Sequence, residues 1–267
     1  MTLVTGKRIA RYARPVRFVF LLVMLASACS SKSSRRTVRV AAASDLSRAF
    51  EEIGKEFATR TGITPEFNFG SSGLLAKQIE QGAPYFLFAA ANKAFAQQVI
   101  TAGRCDGASS RMYARGRIVV WTPSGIAAPI KLTDLADSRF KKIAIANPEH
   151  APYGTAAKQA LEKIGVWSQI EDRVVLAENV QATMLYSRER NAEAALVALS
   201  LAVVTDGGAF LPVDQSLHDP LDQQLVVCGN GEEADAARQL ADFISSREGR
   251  EIMTRYGFLL PSEQLGK

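Results

Sequence analysis

Four stretches put small, hydroxylated or proline residues where an apolar, β-branched run gives way to an amphipathic one: "AAASDL", "FGSSGLL", "NPEHAPYG" and "AENVQAT". In an open α/β sheet such junctions gather beyond the carboxyl ends of the strands, where ligands bind. Each helix start leaves backbone N–H groups unpaired along its axis and carries about half a positive charge. Converging starts therefore make an anion site that needs no basic side chain. Ser44 and Ser72 would add hydroxyl donors, and Pro152 suits a first-turn position whose own N–H is dispensable. Ser71 reads as a plain helix cap.

Other chemistries fit these residues less well. Gly70 and Gly73 are too close for a P-loop and Lys77 does not adjoin the second glycine. No GxSxG elbow occurs. Ser44 or Ser72, His150 and an aspartate could still assemble a hydrolase triad, which stands as the rival from a different class. His150, in a proline-bracketed loop, reads instead as a structural residue that hydrogen-bonds locally. With only His150 and His218 in the chain, and neither HExxH nor CxxC, a zinc or haem site is not expected.

The elements that must position the four junctions are legible in the periodicity. "TVRVAAA" is a strand, and Leu46, Ala49, Phe50, Ile53 and Phe57 recur at helical spacing behind it, with Ser44 or Asp45 as N-cap candidates and Gly62 closing the helix. The same grammar follows in "TPEFNF" then "SSGLLAKQIEQG", "YFLFAAA" then "NKAFAQQVITAG", "KKIAIANP" then "APYGTAAKQALEKIG", and "VVLAEN" then "VQATMLYSRER". This predicts an α/β architecture of largely parallel sheets covered on both faces. Between residues 200 and 230 the alternation loosens, and a helix carrying Leu240, Phe243 and Ile244 on one face closes the chain. At 267 residues and 47% hydrophobic content there is enough for one sizeable core or two smaller ones.

The N-terminus has a different character. Lys7, Arg8, Arg11, Arg14 and Arg17 precede the apolar run Phe18 to Leu25 and the small residues "ASA". That pattern is an export signal over residues 1–28, too short to span a membrane. "LASAC" also resembles the lipobox of bacterial lipoproteins, with Cys29 bearing the lipid, and the polar "SSKSSRR" behind it suits a flexible tether over 29–36. Removing the five leader cations takes the net charge of +5 to near zero, so the basic balance belongs to targeting and gives no support to nucleic-acid binding. Of the remaining cysteines, Cys105 and Cys228 fit either one disulfide, as export permits, or two buried thiols.

Taken in order, "VRVAAASDL", "FNFGSSGLLAKQIEQGAP", "ANPEHAPYGTAAKQALEKIG", "ENVQATM" and "RYGF" resemble the periplasmic molybdate-binding proteins that serve ABC transporters. The resemblance implies a two-lobed, class II periplasmic binding protein fold with an oxyanion held in the cleft. It divides the chain into a first lobe over 37–116, a second over 117–202 and a return to the first over 203–267. Carried over by motif, the two serine donors are Ser44 and Ser72, and the backbone amides from the other lobe are those of Tyr153 and Val180. A ligand-contacting tyrosine of some relatives matches Ala198, so a phenolic donor is missing there. Tyr85, Phe86, Ala90 and Asn92 also depart from the family's usual pattern. The resemblance implies a monomeric, non-catalytic protein without cofactor. It would capture molybdate or tungstate in the periplasm or cell envelope, held to the membrane by a lipid, and deliver the anion to an ABC permease. Sulfate, phosphate or a small organic anion on the same fold is the near alternative.

Overall fold

A computed structural model describes residues 36–261, together with 1–3 and 6. The rest of the expected leader, the tether to residue 35 and Cys29 lie outside the described residues. Among the described residues no helix is long and apolar enough to cross a membrane.

In chain order the elements are β1 (Arg36–Ala43), α1 (Ser47–Thr61), β2 (Ile63–Gly70), α2 (Ser72–Glu80), β3 (Leu87–Ala90), α3 (Lys93–Thr101), β4 (Arg111–Gly116), β5 (Ile118–Pro123) and β6 (Ile143–Ala146). Then come α4 (Pro152–Lys163), α5 (Trp167–Ile170), β7 (Val174–Ala177), α6 (Val180–Arg188), β8 (Ala194–Ala198), α7 (Leu199–Ala202), β9 (Gly208–Pro212), β10 (Leu221–Val227), α8 (Glu232–Ser245) and α9 (Arg247–Arg255). The strands build two five-stranded sheets, ordered β2-β1-β3-β10-β4 and β7-β6-β8-β5-β9. Helices flank both, and each sheet anchors one lobe.

Each sheet is mixed, with four strands running one way and a single strand opposing them. β1 runs parallel to β2 and β3, and β6 to β7 and β8, as strand–helix–strand units require. β10 and β5, however, run antiparallel to both of their neighbours. These two strands enter their sheets where the chain passes from one lobe to the other. No crossover helix leads into either strand to fix its direction, so they are free to run against the rest. β9 also pairs with β5, which extends the second lobe through Pro212 and delays the return to the first sheet until β10.

Burial explains the local choices. The last four residues of β1 and all of β6 and β8 are buried, and they are mostly alanine, valine and isoleucine, so helices pack closely on both faces. Phe50, Ile53 and Phe57 form the inner stripe of α1, and Gly62 ends it by donating its N–H to the Ala58 carbonyl. One continuous apolar core runs from Phe50 and Leu240 through Trp121 to Leu161 and Leu196. A smaller cluster under α2 and α3 contains Cys105 and Cys228, which are joined as a disulfide between the loop after α3 and the end of β10.

Candidate functional site

The four junctions meet between the lobes. In the β1–β2 register Ala43 stands opposite Gly70, which brings the residues that follow, Ser44 and Ser71, to one edge of the first sheet. In the β6–β7 register Ala146 stands opposite Ala177, which sets the start of α4 beside the start of α6 on the second. Ser44, Asp45, Ser72, Tyr153, Asn179 and Val180 consequently line one cavity. Its free volume is about 10 Å³, the room that a single water-sized sphere takes. The lobes therefore stand nearly shut. Ala198, buried at the end of β8, is not among the lining residues, and neither are Tyr85, Phe86, Ala90 and Asn92.

The two serine hydroxyls are held in the same manner. Ser72 Oγ accepts the Ala91 N–H at 3.0 Å, and Ser44 Oγ accepts the Gln181 N–H from the other lobe at 3.4 Å. Accepting an amide fixes each oxygen and leaves its own O–H as a donor. Neither Ser44 nor Asp45 caps a helix: they form a 3₁₀ turn ahead of α1, whose N-cap is Leu46. Ser71 does occupy the N-cap position of α2, but its hydroxyl makes no cap bond. The side-chain caps near the site are asparagines, Asn179 accepting from Ala182 N–H at 3.0 Å and Asn92 from Phe95 N–H at 3.1 Å.

Ser71 instead reaches across the cleft. Its hydroxyl donates to the His150 carbonyl and lies 2.8 Å from His150 Nδ1, while Gly73 N–H donates to the same carbonyl at 2.9 Å. His150 thus bonds to a distant segment as well as locally, where its N–H donates to the Asn147 carbonyl at 3.3 Å. A hydroxyl has one proton, and the His150 carbonyl competes with Nδ1 for it, unlike the dedicated contact of a base that activates a nucleophile. Ser44 and Ser72 have no imidazole among their hydrogen-bond partners.

A polar network beneath the cavity was not anticipated. Asp45 is fully enclosed; its Oδ2 accepts Tyr153 Oη–H at 2.9 Å and Gln223 Nε2–H at 2.6 Å. Tyr113 Oη–H donates to Gln223 Oε1 at 3.2 Å, and Ser200 Oγ–H to the Asp45 carbonyl at 2.7 Å. Burial pushes the Asp45 carboxyl from 3.8 up to about 6, against the hydrogen bonds from Tyr153 and Gln223 that favour its charged form. Burial, and then the nearby Asp45 charge, hold the Tyr113 and Tyr153 phenols well above their usual range. Tyr153 therefore both lines the cavity and places its phenol in this network. Gly116 leaves the space that this phenol fills, since a Cβ there would overlap the Tyr153 oxygen. The one signal for this network in the sequence is an acidic residue at the end of an otherwise apolar strand, where an unpaired charge is rarely buried.

Comparison with known proteins places this geometry among relatives. The family model described as bacterial extracellular solute-binding protein matches residues 38–259. A molybdate-binding protein of Rhodobacter capsulatus is 32% identical over 225 residues, covering 83% of this chain and 88% of the relative. One from Azotobacter vinelandii is 30% identical, covering 86% and 92%. A putative ABC transporter substrate-binding lipoprotein of Bacillus subtilis is 28% identical, covering 88% and 93%. Among solved structures, the periplasmic molybdate-binding protein of Azotobacter vinelandii superimposes with a TM-score of 0.78 at 27% identity, covering 84% of this chain and 99% of that one.

Proposed function

The chain belongs to the bacterial extracellular solute-binding proteins, and we propose that it captures molybdate, and tungstate with it, outside the cytoplasmic membrane for delivery to an ABC permease. The observation that carries this reading is the cavity where Ser44 and Ser72 from one lobe meet Tyr153 and Val180 from the other. The donors there are hydroxyls and helix-start amides, which suit the oxygens of an anion. Each charge-assisted bond contributes about 1.5–3 kcal/mol net. Five or six of them support micromolar to nanomolar binding after the costs of association.

Catalysis has no part in the proposal. Ser44 and Ser72 have no imidazole among their hydrogen-bond partners, and at Ser71 the His150 carbonyl competes with the ring for the hydroxyl proton. A cavity with room for one water-sized sphere does not take a tetrahedral oxyanion, so loading requires the lobes to part about the two strand crossings and close on the anion at a wider separation than here. Selectivity over sulfate would follow from donors fixed by helix starts, which cannot all follow a smaller anion inward.

Calorimetry of the mature protein against molybdate, tungstate, sulfate and phosphate tests the reading. Tight binding of the first two with weak or no heat from the others is expected, and no heat from molybdate or tungstate would sink it. Anchoring at Cys29 is a separate proposal, supported by the lipobox-like "LASAC" and the polar tether. Mass spectrometry of the mature N-terminus is expected to show an acylated Cys29, and an unmodified cysteine would refute it.

A further inference from the structure

Closure of the lobes encloses a carboxyl in the lining of an anion cavity. Asp45 is shared between the lobes: Tyr153 reaches its Oδ2 from α4 in the second lobe, and Gln223 reaches the same oxygen from β10 in the first. Ser200, on α7 of the second lobe, holds the Asp45 backbone carbonyl. Its Oδ1 has no hydrogen-bond partner and is cut off from solvent. The groups that face it from the packed elements are the Tyr153 and Tyr113 phenols, the Gln223 amide and the Ser200 hydroxyl. Among the described residues, none of the groups that shift its titration is a cation.

A tetrahedral dianion brings acceptors only. Beside it, an ionised Asp45 would be a second, uncompensated negative charge, whereas a carboxylic acid is neutral. We propose that closing the lobes on an oxyanion takes up one proton from solvent at Asp45, so that no second negative charge is enclosed beside the anion and affinity falls as pH rises. This inference rests on the oxyanion-binding function proposed above. The transfer breaks an O–H bond of hydronium or a buffer acid and forms the O–H bond of Asp45, with no change of oxidation state.

The sign follows from the two states. Parting the lobes withdraws Tyr153 and admits water, which returns Asp45 toward its ordinary ionised form at neutral pH. In the closed protein burial already holds the carboxyl at about 6, and a dianion in the same cavity raises it further. Between the open and the occupied values, each unit of pH increase weakens binding by up to about tenfold, and above the occupied value the affinity levels off.

The test is calorimetry of the mature protein with molybdate and with tungstate at about pH 6, 7 and 8, each in two buffers of different ionisation heat. Uptake of close to one proton per anion at the lower pH, with affinity declining upward, is the expected result. Asp45→Asn cannot titrate and should bind with neither proton uptake nor pH dependence; uptake that persists in this variant would place the proton elsewhere and overturn the proposal. Should the variant not fold, the wild-type measurement decides alone: tight binding with flat affinity and no uptake overturns the proton coupling and leaves oxyanion binding standing. Absence of heat from every oxyanion at every pH overturns the binding function, and the coupling with it.

Discussion

Gly73→Ala separates closure of the lobes from stability of the lobes. Gly73 is the second residue of α2 and sits against the facing lobe. An added Cβ would stand 2.8 Å from the His150 carbonyl oxygen, 2.9 Å from His150 Cβ and 2.8 Å from Phe95 Cζ. The phenyl contact lies within the first lobe and can be relieved by a ring shift. The His150 contacts cannot, because one of them is backbone of the loop that carries α4. The variant must therefore hold the lobes apart by a few tenths of an ångström or more. Two hydrogen bonds stretch as a result, Gly73 N–H to the His150 carbonyl and Ser71 hydroxyl to the same oxygen. At about 0.5–1.5 kcal/mol each, their weakening costs the closed form about 1–3 kcal/mol. Oxyanion affinity should drop by about 5- to 150-fold. Within α2 itself alanine is the better helix former by up to about 1 kcal/mol, so the melting temperature without ligand should hold or rise slightly. Calorimetry and thermal unfolding of the same preparation check both halves. Wild-type affinity in this variant, within about twofold, would mean that the lobes do not need the Gly73–His150 contact to hold their ligand, and the closure argument would fail.

Ser72→Ala removes one O–H donor and leaves the Ala91 N–H without its acceptor. Affinity for molybdate should fall by about 10- to 150-fold and unfolding stability by about 1–3 kcal/mol, measured by calorimetry and by urea titration; unchanged affinity would remove Ser72 from the site. Replacing both Cys105 and Cys228 by alanine opens a link across 123 residues. Stability should drop by about 2–5 kcal/mol with affinity nearly unchanged, because neither cysteine lines the cavity; a large loss of affinity at full stability would contradict that separation. Asp45→Asn should stabilise the unliganded fold near neutral pH. A carboxyl held at about 6 rather than 3.8 favours the fold fully below the lower value and loses that contribution as pH rises through the higher one. Wild type therefore gives up about 1–3 kcal/mol by pH 7 to 8, which the neutral asparagine retains. Urea unfolding of both proteins at about pH 4 and 7.5 should show the difference only at the higher value, and a difference that is equal at both would refute the assignment.

The four junctions were readable because each is a local event. A buried strand, a turn of small residues and an amphipathic helix fall within some twenty consecutive positions, and the rule that ligands sit at strand ends then joins them without knowledge of the pairing. The exceptions are the strands that no local unit governs. The direction and sheet of β5, β9 and β10 depend on where the chain crosses between lobes, which periodicity does not encode. Ser71 was misread for the same reason. Its position at a helix start is local, while its hydroxyl is claimed by a carbonyl 79 residues away.

Asp45 carries that distinction into function. As a residue at a helix start it looked like a cap, and its actual partners stand 108 and 178 residues further along, one in each lobe. A capping aspartate would be solvated and ionised whether the lobes were open or shut. An aspartate whose hydrogen bonds come from both lobes changes its surroundings whenever they move, so its charge becomes a property of closure rather than of the first lobe alone. Tyr153 makes this coupling direct. Its α4 start belongs to the anion cavity and its phenol to the carboxyl, so parting the lobes dismantles half of the cavity and releases Asp45 in one motion. A site built from neutral donors, with a single acidic group whose protonation follows the lobes, can hold a dianion without a fixed cation.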